Sequence, residues 1–396
     1  MRRAILFCTV FVLCLDLFSA DGKALTASAN PGSSSDLQVV YLQDGASLTT
    51  YNINTNTLTA SQAGGSFALP IASFNFLASS LNGKFLYILG NDASNNQDIW
   101  VFATDYNGQP HRPPIQIIKA NGLYNFSLDP VFNFAYGVLG SLNSQTQSVY
   151  EILSFAVDPT TGILSPPIIA AAYPVNGPCP PGVLGAYPNL DGFSTDGKTL
   201  YDDWYCNYPA STTAIYNERR LNPQSGALGR DVEVFTWSDG TQGFDTVSFS
   251  HGHIIDYHSP NGTDTGNNLD IYPVVPNSTQ PMIQCTASML AICGSAIGAI
   301  IDPSGKYIFF VNSSFGDNIV QIDIASHRLV DTGQSLPAQV AKFNPKGTIA
   351  YTLNISGTSY YLEIYGFDPF TGEITTNGGE ISAPSITDTF WPVARE

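Results

Sequence analysis

Basic side chains are scarce in this chain. Fifteen Lys and Arg stand against 32 Asp and Glu over 396 residues, a formal net charge of −17. A surface of that sign repels nucleic acid and anionic lipid, so neither is an expected partner. A phosphorylated ligand would want Arg or Lys in its pocket. Lys84, Lys198, Lys306 and Lys346 fall in repeated turns described below, which leaves Arg219, Arg220 and few others. A phosphorylated sugar is therefore disfavoured as substrate. Catalytic signatures are missing as well: there is no G-x-S-x-G elbow, no Gly-rich phosphate loop and no C-x-x-C pair. No quinone or haem signature is visible, and no cofactor is expected. No run of like charge marks a disordered tail, and no segment has a convincing helical period.

Apolar runs are short outside the N-terminus. The chain opens MRRAILFCTVFVLCLDLFSADGKA, with Arg2 and Arg3 before an apolar stretch from Ala4 to Leu15 and small residues at Gly22 and Ala24. This reads as a signal peptide over residues 1–24, with an uncleaved anchor as the alternative. Asp16 is an imperfection in it. Removing it takes away Arg2, Arg3, Lys23, Asp16 and Asp21, leaving a net charge of −18. No later stretch is long enough to span a membrane. A flexible segment over 25–36 and a single domain over 37–396 are expected to follow. The expected location is secreted: periplasmic, extracellular or at the cell surface. The chain is expected to be monomeric.

What is abundant is turn and strand chemistry. Compare SLNGKFLYIL (80–89), DPVFNFAYGV (129–138), TDGKTLYDDW (195–204), DPSGKYIFFV (302–311) and NPKGTIAYTL (344–353). Each is a polar turn followed by a strand with an aromatic four places after the glycine position. Those aromatics are Tyr87, Tyr136, Tyr201, Phe309 and Tyr351. FSHGHIIDYH (249–258) is a weaker copy, with Asp256 in the aromatic slot. A second element follows each strand: AVDPTTGIL (156–164), RLNPQSGAL (220–228) and GFDPFTGEI (366–374). Proline presets φ and glycine accepts a positive φ, so these are tight turns. The glycine-equivalent positions are 83, 132, 197, 252, 305 and 347.

One repeat is thus strand, turn, strand, loop, strand, turn, strand: a four-stranded antiparallel blade. Six copies carry the first turn. A seventh begins without it, supplied by 37–42, 47–53 and 57–61, and its missing innermost strand comes from around 386–394. The expected fold is all-β, a seven-bladed β-propeller whose ring is closed by the C-terminal strand, which leaves no sheet edge exposed. Two tandem β-sandwiches are the alternative.

At D-P-S-G-K-Y-I-F-F-V-N (302–312) and F-D-P-F-T-G-E-I (367–374) the chain resembles the YVTN-type, lactonase-like propeller repeats. The resemblance covers nearly all of residues 37–396. That superfamily includes sugar-lactone hydrolases, muconate cyclases and surface proteins, so it implies the fold and leaves the activity open. No catalytic motif of the family matches residue by residue.

Propeller geometry puts the glycine turns on one face and the longer loops on the other. The loop-rich face carries SPPIIAAAYPVNGPCPPGVLGAYPN (165–189) and DDWYCNYPAST (202–212). An even number of cysteines after the leader favours disulfides in an exported chain. Cys179 and Cys206 lie in those two segments and are expected to pair; Cys285 and Cys293 share a later connection and are expected to form the second bridge. Asp202 and Asp203 replace residues that are apolar in other repeats, followed by Trp204 and Tyr205, and His258 takes the place of Asp203 in the next repeat. Polar groups at normally apolar positions beside exposed aromatics flag a ligand site of Asp202, Asp203, Trp204, Tyr205, Tyr208 and His258. Solvated loop is the plainer reading of the same residues. His251 and His253 fall in a turn away from His258, so no metal site is expected. NGTDTGNNLD (261–270) lacks calcium-loop spacing and reads as a loop.

Two functions remain open. One is an exported binding or scaffold protein, non-enzymatic, that engages a protein, small-molecule or carbohydrate ligand through its loop-rich face. The alternative is a lactonase-like hydrolase of a non-phosphorylated sugar lactone or related small molecule, with Asp202, Asp203 and His258 as acid and base groups.

Overall fold

The computed structural model describes residues 37–393 apart from 81, 143–147, 174–176, 184, 195, 209–211, 240–244, 251–252, 259–267, 274–282, 285–295, 313–316, 324–327, 337–338, 345, 357–358 and 384–389. Among these the regular structure is all β, in seven antiparallel sheets. Sheet 1 holds β1 (Leu37–Asp44), β2 (Ser47–Asn54), β3 (Thr59–Gln62) and the short β4 (Phe67–Ala68). Sheet 2 holds β5 (Ser73–Ser79), β6 (Phe85–Asn91), β7 (Gln97–Ala103) and β8 (Gln116–Lys119). Sheet 3 holds β9 (Leu123–Leu128), β10 (Phe134–Leu142), β11 (Ser148–Ala156) and β12 (Ile168–Ala172). Sheet 4 holds β13 (Gly185–Phe193), β14 (Thr199–Asn207), β15 (Thr212–Leu221) and β16 (Leu228–Asp239). Sheet 5 holds β17 (Asp245–Ser250), β18 (His253–His258), β19 (Asn268–Pro273) and β20 (Ile283–Gln284). Sheet 6 holds β21 (Ala296–Ile301), β22 (Tyr307–Asn312), β23 (Asp317–Asp323) and β24 (Arg328–Leu336). Sheet 7 holds β25 (Gln339–Phe343), β26 (Ile349–Ser356), β27 (Ser359–Phe367) and β28 (Ile374–Ala383). Finally β29 (Phe390–Val393) returns to sheet 1 and pairs with β1, Val39 opposite Val393 and Leu42 opposite Phe390.

The turns form for local reasons. Between β9 and β10 the Asp129 carboxylate accepts the N–H groups of Val131 and Phe132 at 2.6 and 2.7 Å. Asp302 does the same for Ser304, Lys306 and Tyr307. These are Asx turns, in which a short acceptor side chain holds the backbone in a reversal. The left-handed residue is Gly305 in one and Asn133 in the other. The sequence alignment put that role at Phe132; the turn of sheet 3 places it one residue later, because Asn tolerates positive φ and Phe does not.

The second turn of each repeat docks onto the preceding sheet. Tyr87 on β6 donates its hydroxyl to the Gly162 carbonyl at 3.0 Å, and Tyr136 on β10 donates to Gly226 at 3.0 Å. Tyr41 on β1 donates to Gly108 at 2.7 Å, and Tyr307 on β22 to Phe370 at 3.1 Å. All four tyrosines are buried. The docked glycine has no room for a side chain: a Cβ on Gly162 would lie 2.3 Å from the Phe85 ring, and one on Gly372 would lie 2.4 Å from Tyr307. Each of these glycines also has φ near +70 to +80°: 82° at Gly108, 73° at Gly162, 68° at Gly226 and 74° at Gly372. Apolar cores fill the same gaps between sheets, as where Phe134, Tyr136, Val138 and Ile152 of sheet 3 meet Leu200, Trp204 and Ile215 of sheet 4. Sheet 1 packs in the same way on sheet 7, through Val40, Leu42 and Ile53 against Tyr351, Leu362 and Ile364.

Two substitutions test the docking. Tyr136→Phe removes one hydroxyl bond and should cost about 1 kcal/mol. Gly226→Ala puts a methyl 2.6 Å from Phe134 at φ +68° and should cost about 2–4 kcal/mol. Urea midpoints give both values; equal costs for the two would mean that the turn is not seated as described.

Candidate functional site

Strand β14 carries the sequence-flagged residues, and it is longer than the sequence suggested. Asp202 through Asn207 are strand and not loop, paired to β13 on one side and β15 on the other. Period-two alternation then splits the flagged residues between two faces. Leu200, Trp204 and Cys206 join the core shared with sheet 3, and Asp202 shares their face by alternation. Tyr201, Asp203 and Tyr205 share the opposite face.

On the sheet 3 side Asp202 is fully buried. Its carboxylate accepts from Arg219 Nε at 3.0 Å and from the Tyr173 hydroxyl. Arg219 lies on β15, also buried, with its guanidinium 4.6 Å above the Tyr173 ring and 3.6 Å from the more exposed Asp231 carboxylate. Burial pushes the Asp202 carboxyl up, against the pull of Arg219 and Tyr173. Burial draws Arg219 down, but the charges of Asp202, Tyr173 and Asp231 carry it above its ordinary value. At this geometry the pair is ionic and hydrogen-bonded, which is the condition for a charge to be tolerated inside. The sequence reading missed Arg219 and Tyr173. The alternation Ile215, Asn217, Arg219 along β15 carried a signal, since it places an arginine on the same face as Asp202.

Trp204 is not an exposed aromatic, as the sequence reading expected. It has no exposed surface, and its ring meets Tyr173 at 4.6 Å and Tyr150 at 5.5 Å, both edge-on. The connection after β12 covers it. Cys179 is disulfide-bonded to Cys206, with Cα atoms 5.6 Å apart, as expected. Gly177, at φ +57°, lies so close that a Cβ there would stand 2.5 Å from the Trp204 ring. Tyr208 donates its hydroxyl to the Pro180 carbonyl at 3.2 Å. These contacts hold the proline-rich segment down on the sheet. Cys285, Cys293 and His251 lie outside the described residues, as does most of 261–270.

On the other face Asp203 has no cation beside it among the charges that act on it. It is 2% exposed, and its Oδ1 has no hydrogen-bond partner. Burial pushes its carboxyl up to about 7, with the charge of Asp202 adding to the rise and a bond with Tyr205 opposing it. Toward solvent it is flanked by Tyr205, 37% exposed, and by Asn189, exposed on β13 directly opposite Asp203. His258 ends β18 paired with Asp245 of β17, the register position in sheet 5 that Asp203 holds in sheet 4. Asp203 and Tyr205 thus share one face; Asn189 stands opposite Asp203 in the register, with its side chain turned to Asn125 of sheet 3, and His258 lies at the matching level of the next sheet. Asp202 and Trp204 are separated from Asp203 and Tyr205 by the sheet.

Lys342 on β25 is a second titratable group that the sequence reading passed over; burial pushes its amine down to about 8. A cavity of about 180 Å³ lies on the turn face, lined by Ser80, Asn82, Asp129 and Asn133 among others, away from β14. Among the described residues no group of three or more His, Cys, Asp or Glu stands close enough to hold a metal ion.

No protein-family model matches the chain, and no curated protein matches its sequence. Solved structures do resemble it. A candidate 6-phosphogluconolactonase of Bacteroides fragilis superposes with a TM-score of 0.56 at 17% identity, over 91% of this chain and 100% of that one. A second, from Bacteroides uniformis, gives 0.54 at 15% identity, over 89% and 99%. The periplasmic gluconolactonase of Pseudomonas aeruginosa gives 0.52 at 13% identity, over 91% and 100%. The likeness is one of fold, that of the lactonase-like β-propellers.

Asp203 should leave a trace in stability. Its folded carboxyl keeps a proton up to about pH 7, while the ordinary value is 3.8. Between those values the folded chain binds more protons than the unfolded one, so stability falls as pH rises. Asp203→Asn cannot ionise and should lose that part of the slope. Urea midpoints at pH 4.5 and 7.5 should therefore shift in favour of the variant at the higher pH; parallel shifts would refute the raised value.

Proposed function

We propose that this chain is a lactonase-like hydrolase of a small neutral ring ester, built as a seven-bladed propeller with β29 completing the ring. The observation that carries this reading is the Asp203 carboxyl: buried, with one oxygen unpartnered and its proton held to about pH 7. A general base works best when its pKa lies near the operating pH. The fold supports the same reading, because the neighbours named above include a gluconolactonase. The scarcity of Lys and Arg favours a substrate without phosphate.

In the proposed reaction ionised Asp203 takes a proton from a water molecule as its oxygen attacks the lactone carbonyl. A tetrahedral oxyanion forms, the ring C–O bond breaks, and the proton goes back to the departing alkoxide. The product is the open hydroxy acid, so lactone and water balance it. Asp202 holds Asp203 protonated to higher pH by its charge. Arg219 and Tyr173 fix Asp202, and so act as positioning residues. Tyr205 would border the substrate, while Tyr208 packs with the core on the other face of the strand. Trp204 serves behind the strand as packing.

We also propose that the chain works outside the cytoplasm. The N-terminal apolar segment supports this. So does the Cys179–Cys206 bridge, since such bonds persist in oxidising compartments. The scaffold reading has no support of this kind; its face would be the same loops, used without chemistry.

Turnover of glucono-1,5-lactone and related neutral lactones by the purified chain tests the proposal. Hydrolysis above buffer is expected, rising with pH to a plateau above about 7 as Asp203 ionises. Asp203→Asn should lower kcat by about 100-fold or more with the fold intact. No turnover of any neutral lactone, or full activity in that variant, would sink the assignment.

A further inference from the structure

The first strand of each sheet from 2 to 6 touches the first strand of the next, and β29 touches β5, so these strands line one inner surface. Their levels can be matched through the repeated aromatic on the second strand. Two residues after it stand Leu89, Val138, Asp203, His258, Val311 and Leu353. Their partners on the first strands are Phe76, Asn125, Asn189, Asp245, Gly298 and Gln339. In sheet 2 the residue before Phe76 is Asn75, bulged out of the ladder. Four of six sheets therefore place an Asn, Asp or Gln at one register level of the first strands, and Asn75 stands beside that level in a fifth.

Asn and Asp are poor strand residues, so their recurrence at one register level asks for a use. The described side chains show one. Asn125 donates from Nδ2 to Asn189 Oδ1 at 2.5 Å, across the gap between sheets 3 and 4. Asn189 and Asn75 are exposed, and Asn125 is half-buried. The amides thus meet solvent on strands whose other residues are largely apolar. Each primary amide offers two donors and two acceptor lone pairs without charge. The bond between Asn125 and Asn189 uses one donor and one acceptor. No Lys or Arg stands at this register level of the first two strands.

We infer that this level is a recognition ring for an uncharged ligand rich in neighbouring hydroxyls, with Asn75, Asn125 and Asn189 as its specificity-determining residues. The inference rests on the proposed function in one respect: it places the substrate of that site against β13, where Asn189 stands opposite Asp203. It assigns a binding role to residues that take no part in proton transfer.

The test uses the full chain and D-glucono-1,5-lactam, an uncharged ring analogue with no ester to hydrolyse. Calorimetry should show saturable 1:1 binding. Asn189→Leu should weaken it about tenfold, the loss of one or two hydrogen bonds. Asn75→Leu, on a separate sheet and exposed, should weaken it in the same direction, and serves if the first variant fails to fold. The 6-phosphorylated lactam should bind more weakly than the neutral one. No saturable binding of the neutral lactam, equal affinity in both variants, or preference for the phosphorylated form overturns the ring. The two proposals fail separately. Lactam binding without lactone turnover removes the catalytic reading and keeps the ring. Lactone turnover with KM unchanged in Asn189→Leu and Asn75→Leu removes the ring and keeps the catalysis.

Discussion

A tyrosine hydroxyl on the second strand of one sheet, bonded to a turn carbonyl of the next, is the contact on which the placement of the sheets depends. A four-stranded sheet alone leaves both faces apolar and must bury them against another element. Side-chain packing fills the space between sheets but is non-directional. The hydroxyl bond is directional, and at Tyr41, Tyr87, Tyr136 and Tyr307 it joins one sheet to the next at the same point. The docked turn must lie flat on an aromatic ring, and only glycine permits that. The D-P-x-T-G pattern therefore sets the spacing between sheets as much as it reverses the chain.

The same constraint explains the two carboxylates of β14. Neighbouring residues on a strand face opposite neighbouring sheets, so Asp202 and Asp203 lie in different gaps. The gap toward sheet 3 holds Arg219 and Tyr173, and there the charge is paired. On the opposite face, among described groups, Tyr205 is the partner that Asp203 finds, which leaves one oxygen without a bond. Close-packed interiors have little freedom to supply a partner after the fact. One strand thus carries a satisfied carboxylate and an unsatisfied one, one residue apart. The satisfied one raises the proton affinity of the other.

How much of this was legible in the sequence depended on range. The Asx and glycine turns are local chemistry, and they marked the repeat. Even there the turn at Asp129–Phe134 shifted its left-handed residue from Phe132 to Asn133, because both positions leave the same overall spacing. The Cys179–Cys206 bridge was legible once loops were assigned to faces. Trp204 was misread as exposed, since its burial depends on Gly177 and the proline-rich segment folding back onto it. Nothing in the residues around Trp204 announces that. The Asp202–Arg219 pair was within reach of simple alternation along β15. The level shared by Asn125 and Asn189 was not, because it appears only when the register between first and second strands is known and bulges such as the one at Asn75 are counted.

Charge economy ties these features together. The chain has few cations, and β15 commits one of them, Arg219, to the inside of a sheet gap. That choice has little value for net stability, since a buried ion pair roughly offsets its own desolvation. Its value is positional: it favours the ionised form of Asp202, against the effect of burial, directly behind Asp203. A carboxyl beside a charge of its own sign, and shielded from water, holds its proton longer than either cause alone would require. A second arginine on the Asp203 side would reverse that effect and return the carboxyl to its ordinary range. The scarcity of basic residues is therefore a condition for the character of Asp203 and not only a feature of the surface.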